Sequence, residues 1–272
     1  MIISTGNGEM EAAVDEIGFH ISRITYRQRD ILKPSSDGHP THGGAAHMIP
    51  FANRIRNGNF IYNSRFVQLD RDAPPNAIHG LIRNSKFDLK ITKNGISGIT
   101  RIQNDRFPWV YDVEIMISLQ ENGFAVQYHV KNLSEDDGPL MIGSHPYFLF
   151  SGSWSIHSRS MREMVCKDSY FPTGEFLNPV ESLSSAQNRL YDTPFRTDGK
   201  IRIDLGNISL KMVTERMPFM IIYTGIFSEG TSVAVEPMTG SIDCFNNGIG
   251  LIDLKSGKDF RCSYSVIIDD HN

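Results

Sequence analysis

Apolar and polar residues alternate along much of this chain, and this pattern limits the fold more than any other feature. The clearest case is a pair of runs, residues 113–119 and 124–130, separated by Glu121-Asn122-Gly123. Successive residues of a β-strand point to opposite faces of a sheet, so a period of two predicts strands with one buried face. Because Asn and Gly both tolerate positive φ, the Asn-Gly step predicts a tight hairpin between the two strands.

Further runs with the same period extend this pattern to other parts of the chain. They lie at residues 87–91, 201–205 and 208–212. Helical periodicity is confined to short pieces near 160–168 and 181–190, and there is no strand–helix–strand rhythm. Many short strands joined by tight turns predict an all-β fold, a large antiparallel β-sandwich with a few short helices.

We expect a single domain covering residues 1–272. Sandwiches and barrels of roughly 200–250 residues often form one unit. The sequence has no internal repeat, no low-complexity tract and no linker rich in Pro, Gly or Ser. The segment that most resembles a boundary, residues 134–139, lies between two strand-like runs and is interpreted as a loop.

Charge and composition exclude several classes of function. The net charge of −4, with both signs interspersed, argues against a nucleic-acid partner, which would require a basic patch. No run approaches the roughly 18 apolar residues of a membrane span, and the first residues do not resemble a secretory signal. Three widely spaced cysteines, Cys166, Cys244 and Cys262, favour a reducing compartment over a disulfide framework. We therefore expect a cytoplasmic protein, with its oligomeric state left open.

Three short strings each place a proton-handling side chain beside a Gly or a Pro that restricts the backbone. They are Asn-Ala-Ile-His-Gly with His79, Ser-His-Pro-Tyr-Phe with His145, and Val-Glu-Pro-Met-Thr-Gly with Glu236. Only a large fold can bring these distant residues together. If they meet, two imidazoles and a carboxylate supply an acid and a base for chemistry that needs no cofactor.

Each of these residues also has a purely structural interpretation. His145, followed by Pro and two aromatic residues, fits a sugar site, but equally fits a buried histidine bonded to a backbone carbonyl. Glu236 ends an apolar run, where desolvation would raise its pKa toward that of a general base, or it forms a salt bridge at the strand end. His79 lies in a tight loop, where a single histidine is often incidental.

Two further residues could contact hydroxyl groups. Arg54, in a compact polar loop before a strand, could donate a fork of hydrogen bonds to neighbouring hydroxyls, or could hold a carboxylate or loop carbonyls. Asp192 could accept hydrogen bonds from a sugar, but Asp before Thr-Pro is also common in plain turns.

Taken in order, the strings resemble the aldose 1-epimerase (galactose mutarotase) family. The resemblance runs from about residue 18 to the end and is carried by four motifs together with Phe107-Pro-Trp and Asn246. The motifs are Pro50-Phe-Ala-Asn-Arg-Ile, Asn76-Ala-Ile-His-Gly80, His145-Pro-Tyr-Phe148 and Glu236-Pro-Met-Thr239.

This resemblance implies a β-supersandwich with a sugar cleft on a concave face and no cofactor. It implies that His145 is the general acid and Glu236 the general base, and that His79, Arg54 and Asp192 bind the sugar. Many members carry Trp where this chain has Phe87, so one stacking wall of the cleft is expected to differ. The implied activity is interconversion of the α and β anomers of a free aldohexose such as galactose or glucose.

Two alternatives keep the same fold and site. A related enzyme acting on hexose 6-phosphates would need additional cations at the far end of the cleft, for which Arg56 and Arg83 are the candidates. A non-catalytic carbohydrate-binding protein would keep Arg54 and the aromatic residues but lack the acid or the base. The presence of both His145 and Glu236 disfavours the second alternative.

A metal enzyme is the third alternative. Two histidines and one carboxylate match the composition of a facial triad. His39, His42 and His47 form another cluster of metal-ligating residue types. We expect this Gly-rich loop to be flexible and its histidines to be solvated, and we expect no bound metal.

Overall fold

The computed structural model describes residues 1–168 and 170–270, and most of them lie in strands. The predicted all-β class is confirmed. The first half of the chain forms β1 (Ile2–Gly6), β2 (Met10–Asp15), β3 (Ile21–Tyr26), β4 (Arg29–Asp30), β5 (Ala45–Met48), β6 (Arg54–Ile55), β7 (Asn59–Tyr62), β8 (Arg65–Gln68), β9 (Ala77–Ile78), β10 (Asp88–Thr92), β11 (Gly95–Asn104), β12 (Phe107–Gln120) and β13 (Gly123–Asn132).

The second half continues in the same manner and adds a short α-helix, α1, near the end. Its elements are β14 (Gly138–Leu140), β15 (Gly143–Leu149), β16 (Ser155–Lys167), β17 (Phe171–Ser184), β18 (Asp192–Arg196), β19 (Lys200–Asp204), β20 (Ile208–Glu215), β21 (Phe219–Tyr223), β22 (Ser232–Met238), α1 (Cys244–Asn247), β23 (Ile252–Leu254) and β24 (Asp259–Asp270). Single 3-10 turns lie at Pro40–His42, Arg56–Gly58, Ile82–Asn84, Ser185–Gln187 and Ile226–Ser228. In the described ranges, no helix is long and apolar enough to cross a membrane.

Eighteen of the strands join into one extended antiparallel sheet. One end of it runs β1, β2, β3, β5, β15, β22, β21 and β18. It then continues through β16, β19, β20, β24, β13, β12, β11 and β10. The inward faces of these strands contribute to one apolar core, so the sheet is buried by folding back on itself.

The hairpin predicted around Asn122-Gly123 is confirmed. β12 and β13 pair in the register Leu119 with Phe124 and Gln120 with Gly123. Buried and more exposed residues alternate along most of β12, as a period of two requires.

The two predicted helical pieces are wrong, apart from the 3-10 turn Ser185–Gln187. Residues 160–167 belong to β16, and 181–184 end β17. Register shifts interrupt the pairing of β16 with β17 at several points. Because a bulge adds a residue to one strand, buried Met161 and Met164 fall three positions apart, a spacing that imitates a helix.

The expected solvation of the histidine loop is wrong for His47. This residue lies in β5, opposite Ser144 of β15, and is 1% exposed. Its Nδ1 lies 2.8 Å from the Tyr128 hydroxyl, and the Ser144 hydroxyl is 3.0 Å from that of Tyr264. Residues 45–48 therefore form a buried strand, because β5 fills the position between β3 and β15.

We predict that His47 makes the fold sensitive to acid. Burial lowers the pKa of His47 to about 3, whereas an unfolded histidine titrates near 6.5. Between these pH values the unfolded chain binds a proton that the native state does not, so the free energy of unfolding falls as the pH falls. In His47→Gln, urea unfolding at pH 7, 6 and 5 should show a slope smaller by up to about 1.4 kcal/mol per pH unit.

The matched control for this experiment is His157→Gln, because the side chain of His157 is 45% exposed. It should leave the slope close to that of the parent. Parallel stability curves for the parent and His47→Gln would contradict the prediction.

Candidate active site

All five residues that the sequence nominates line one cavity of about 270 Å³. They are His145, Glu236, His79, Arg54 and Asp192. The first two come from neighbouring strands, β15 and β22. The register on either side, Gly143 with Met238 and Tyr147 with Ala234, places His145 opposite Glu236.

His145 and Glu236 form a buried pair at the inner end of the cavity. The imidazole Nε2 lies 3.3 Å from the carboxylate Oε1, and the side chains are 6% and 2% exposed. His145 Nδ1 and Glu236 Oε2 make no hydrogen bond with another of the described residues. Buried polar atoms are normally satisfied, so these two atoms are available to a ligand or to water.

Burial shifts both pKa values of this pair toward the neutral forms. Desolvation raises the pKa of Glu236 well above its ordinary value, and the negative charge of Asp192 adds to the shift while Arg54 opposes it. Desolvation lowers the pKa of His145 to about 3. The pair can therefore hold its proton on either partner, and desolvation favours the state in which the carboxyl carries it.

His79 lies beside this pair because backbone contacts hold its loop against the core. Its backbone has a φ of 59°, and its N–H donates to the Asn53 carbonyl at 2.9 Å. The following residue, Gly80, passes so close to Ile49 that a Cβ would lie 2.5 Å from the Ile49 carbonyl oxygen. The His79 ring stands edge-on to that of His145, with centroids 5.5 Å apart. Burial lowers the pKa of His79 far below its ordinary value, so the ring is neutral.

Arg54 and Asp192 form the polar wall of the cavity. The guanidinium Nη1 lies 3.9 Å from the Asp192 carboxylate and donates to Asn53 Oδ1 at 3.0 Å. Its other contact is the ring of Tyr170, whose centroid lies 4.0 Å away. Burial raises the pKa of Asp192, and Arg54 partly opposes the shift. The sequence left two interpretations of Arg54 open, a contact with hydroxyls or a contact with a carboxylate. In the structure, Arg54 both lies near the Asp192 carboxylate and lines the cavity.

Sequence reasoning missed several residues of the lining. Tyr147 and Asn53 both line the cavity. Tyr147 lies in the same string as His145, and Asn53 directly precedes Arg54, so the motifs could have identified both residues. His42 stacks between His39 and Phe227 at centroid distances of 4.3 and 3.5 Å. His39 is exposed as expected, but His42 is partly buried against Phe227. No local sequence pattern predicts this contact, because Phe227 lies in a turn that is distant in sequence.

Three other residues from the sequence analysis have different positions. Phe87 is not a wall of the cleft but a core residue, packed against Phe19. Arg83 lines the cavity and is ion-paired with Asp72. Arg56 lies outside the lining, 3.2 Å from Asp168 and over the ring of Phe171.

The histidines that the structure describes do not combine into a metal-binding group. Among residues 1–168 and 170–270, no three His, Cys, Asp or Glu side chains come together in an arrangement that could hold a metal ion. The site as described consists of a buried acid–base pair, a neutral histidine and an arginine–aspartate wall.

Comparison with known proteins identifies the family. Residues 1–266 match the family model for aldose 1-epimerase. The chain belongs to the aldose 1-epimerase family. This family member is similar to the uncharacterized protein YihR of Escherichia coli strain K12, with 23% identity over 290 residues, 97% of this chain and 92% of YihR.

Solved structures are similar to this family member over nearly its full length. A galactose mutarotase-like protein from Clostridium acetobutylicum has a TM-score of 0.86 at 18% identity, covering 99% of this chain and 95% of its own. A galactose 1-epimerase from Lactobacillus acidophilus NCFM has a TM-score of 0.78 at 13% identity, covering 98% and 93%. The expected galactose mutarotase-like fold is confirmed.

We predict that the buried carboxyl of Glu236 destabilises the fold at neutral pH. Its pKa is raised in the folded state, so stability is full below the ordinary pKa near 4.5 and is lost as the pH rises. Glu236→Gln should therefore raise the free energy of unfolding at pH 7, and this gain should shrink as the pH falls toward 4.5.

Urea unfolding at the two pH values measures this difference. Glu114→Gln, at a side chain 47% exposed on β12, is the matched control and should change little. If Glu236→Gln were equally destabilised at both pH values, the carboxyl would be contributing contacts to the fold instead of a desolvation penalty.

Proposed function

We propose that this protein is an isomerase that interconverts the α and β anomers of a free aldohexose, such as galactose or glucose. The observation that carries the proposal is the buried pair of His145 and Glu236, 3.3 Å apart at the inner end of the cavity. Each partner keeps one polar atom without a bond to another described residue, so the pair can engage two substrate oxygens at once.

Mutarotation requires one proton to leave the anomeric hydroxyl and another to reach the ring oxygen. Glu236 takes the proton from the C1 hydroxyl, the C1–ring oxygen bond breaks, and His145 gives its proton to the ring oxygen. Rotation about C1–C2 presents the other face of the aldehyde. The same groups, acting in reverse, close the ring as the opposite anomer.

The shifted pKa values suit this exchange. Before ring opening, the pair needs an ionised carboxylate and an imidazolium; afterwards both groups are neutral. Burial penalises the ionised state of Glu236 and of His145 and so favours the pair that accompanies the open-chain sugar. Proton transfer during ring opening therefore relieves the desolvation of two buried charges.

The other residues of the cavity hold the sugar in position. Neutral His79 donates a hydrogen bond near C1 and the ring oxygen, Arg54 donates to hydroxyls, and Asp192 accepts from them. The short distance between Arg54 and Asp192 supports a shared contact with neighbouring hydroxyls. No cofactor is needed for any of these steps.

The two cations that a sugar phosphate would require are already engaged by carboxylates. Arg83 pairs with Asp72, and Arg56 pairs with Asp168 outside the lining. These contacts favour a free hexose over a hexose 6-phosphate. We also infer a cytoplasmic location, which the three free cysteines support, since thiols persist in reducing compartments.

Loss of either partner of the pair should abolish most of the activity. Polarimetry on freshly dissolved α-D-galactose and α-D-glucose measures the rate. In His145→Ala and Glu236→Gln, kcat should fall about 10²–10⁴-fold, because each removes one positioned proton transfer.

The control is His129→Ala, since His129 lies on β13, outside this cavity, between Glu114 and Asp259. Undiminished mutarotation by either pair variant would reject the assigned roles. A panel of free sugars and sugar phosphates in the same assay would decide the substrate class.

Arg54 and Arg56 provide a matched pair for sugar binding. Both contact aromatic residues at the start of β17 or just before it, but only Arg54 lines the cavity. Arg54→Ala should raise KM about 10–100-fold, the loss of charged hydrogen bonds to hydroxyls. Arg56→Ala should leave KM within about two-fold, since it removes a similar aromatic contact without changing the lining. Equal effects on KM would show that Arg54 acts through the fold alone.

A further inference from the structure

The imidazole of His145 is surrounded by aromatic rings, one of which lies parallel to it. Tyr147 stacks on His145 with centroids 4.7 Å apart and planes inclined by 16°. His79 and Tyr223 meet His145 edge-on, at 5.5 and 6.2 Å. The parallel contact follows from the sequence, because residues 145 and 147 are two apart on β15 and therefore share a face.

Tyr147 is itself held rigidly. Its hydroxyl donates to the Thr41 carbonyl at 2.9 Å, and the residue is 1% exposed. Its backbone N–H donates to the Gly44 carbonyl, and its own carbonyl accepts from Lys33 N–H at 2.9 Å. A second ring, Tyr223, meets Tyr147 edge-on at 6.2 Å. The ring of Tyr147 is thus a fixed surface.

His145 lacks the hydrogen bond that usually orients a catalytic histidine. In most such sites, the second ring nitrogen donates to a carbonyl or carboxylate, which fixes the ring and its tautomer. Here Nδ1 makes no bond with another of the described residues, while Nε2 faces Glu236. Apart from the contact of Nε2 with Glu236, the orientation of the ring therefore depends on packing.

We propose that Tyr147 is a positioning residue that holds the imidazole of His145 in the plane that directs Nε2 at Glu236. The hydroxyl of Tyr147 anchors the ring to Thr41, and the face of the ring prevents the imidazole from turning. The same face is a favourable neighbour for the imidazolium that donates the proton. This assignment rests on the proposed function in so far as His145 acts on a sugar.

Two kinds of variant separate the ring from its hydroxyl. Tyr147→Phe keeps the stacked ring and loses the anchor, whereas Tyr147→Leu loses both. We expect kcat for mutarotation to fall about 10-fold or more in Tyr147→Leu, because a misplaced acid slows proton transfer. KM should stay within about three-fold, because Tyr147 lines the cavity but is only 1% exposed and offers a sugar little surface. Tyr147→Phe should recover most of the lost rate. Tyr147→Met serves the same purpose if the leucine protein does not fold.

The matched control is Tyr111→Leu. Tyr111 is also a buried tyrosine that donates to a backbone carbonyl, that of Pro139 at 3.1 Å, and it packs on Phe107 outside the cavity. It should lose stability and keep the parent kcat. If Tyr147→Leu lost no more kcat than Tyr111→Leu, or if its KM rose as much as its kcat fell, the proposal would be overturned.

A spectroscopic measurement tests the assignment independently of activity. In protein labelled with ¹⁵N at histidine, the His145 signals are assigned by their loss in His145→Gln. The parent and Tyr147→Phe should show a single tautomer of the neutral His145 ring, and Tyr147→Leu a mixture of the two tautomers. An unchanged tautomer in Tyr147→Leu would reject the positioning role. A parent protein without mutarotase activity would instead reject the proposed function, and the labelled spectra would still decide the role of Tyr147.

Discussion

The antiparallel pairing of β15 with β22 is the constraint on which the site depends. Pairing of Gly143 with Met238 and of Tyr147 with Ala234 sets the register that brings His145 and Glu236 together. A slip of one residue would turn every side chain of one strand to the other face. The neighbouring strands fix that register from both sides, since β5 pairs with β15 and β21 with β22. The acid–base pair is thus specified by the hydrogen bonds of the sheet more than by contacts of its own.

Desolvation connects this geometry to chemistry. The strands that fix the register also bury the pair, and burial moves the pKa of Glu236 upward and that of His145 downward. In water, the two groups would be separated by about two pKa units in the sense that favours an ion pair. Inside the fold, the balance moves toward the neutral pair, which is the state that accompanies the open-chain sugar in the proposed reaction. The fold provides the surroundings of low polarity that shift both pKa values, and His145 and Glu236 provide the titratable groups.

Much of this arrangement could be predicted from the sequence, and the failures have physical causes. The hairpin at Asn122-Gly123 depends only on local turn chemistry. The ordered strings located four residues of the cavity lining, Arg54, His79, His145 and Glu236, and the Asp-Thr-Pro turn supplied a fifth, Asp192. The helices predicted near 160–168 and 181–190 failed because bulges in β16 disturb the period of two. The burial of His47 depends on its pairing with β15, and the position of Phe227 depends on its contact with His42. A short stretch of sequence contains no information about such distant neighbours.

The contacts of Arg54 have a consequence for the entropy of binding. Its guanidinium is held by Asn53, by Asp192 and by the ring of Tyr170 before any ligand arrives. A free arginine side chain loses about 2 kcal/mol of rotamer entropy when it is immobilised. Here that loss occurs when the chain folds, so the sugar that we propose as the substrate would meet a donor that is already ordered. If Arg54 binds the sugar as proposed, removing Tyr170 would weaken that binding by leaving the arginine disordered in the unliganded protein, even with every contact to the sugar kept.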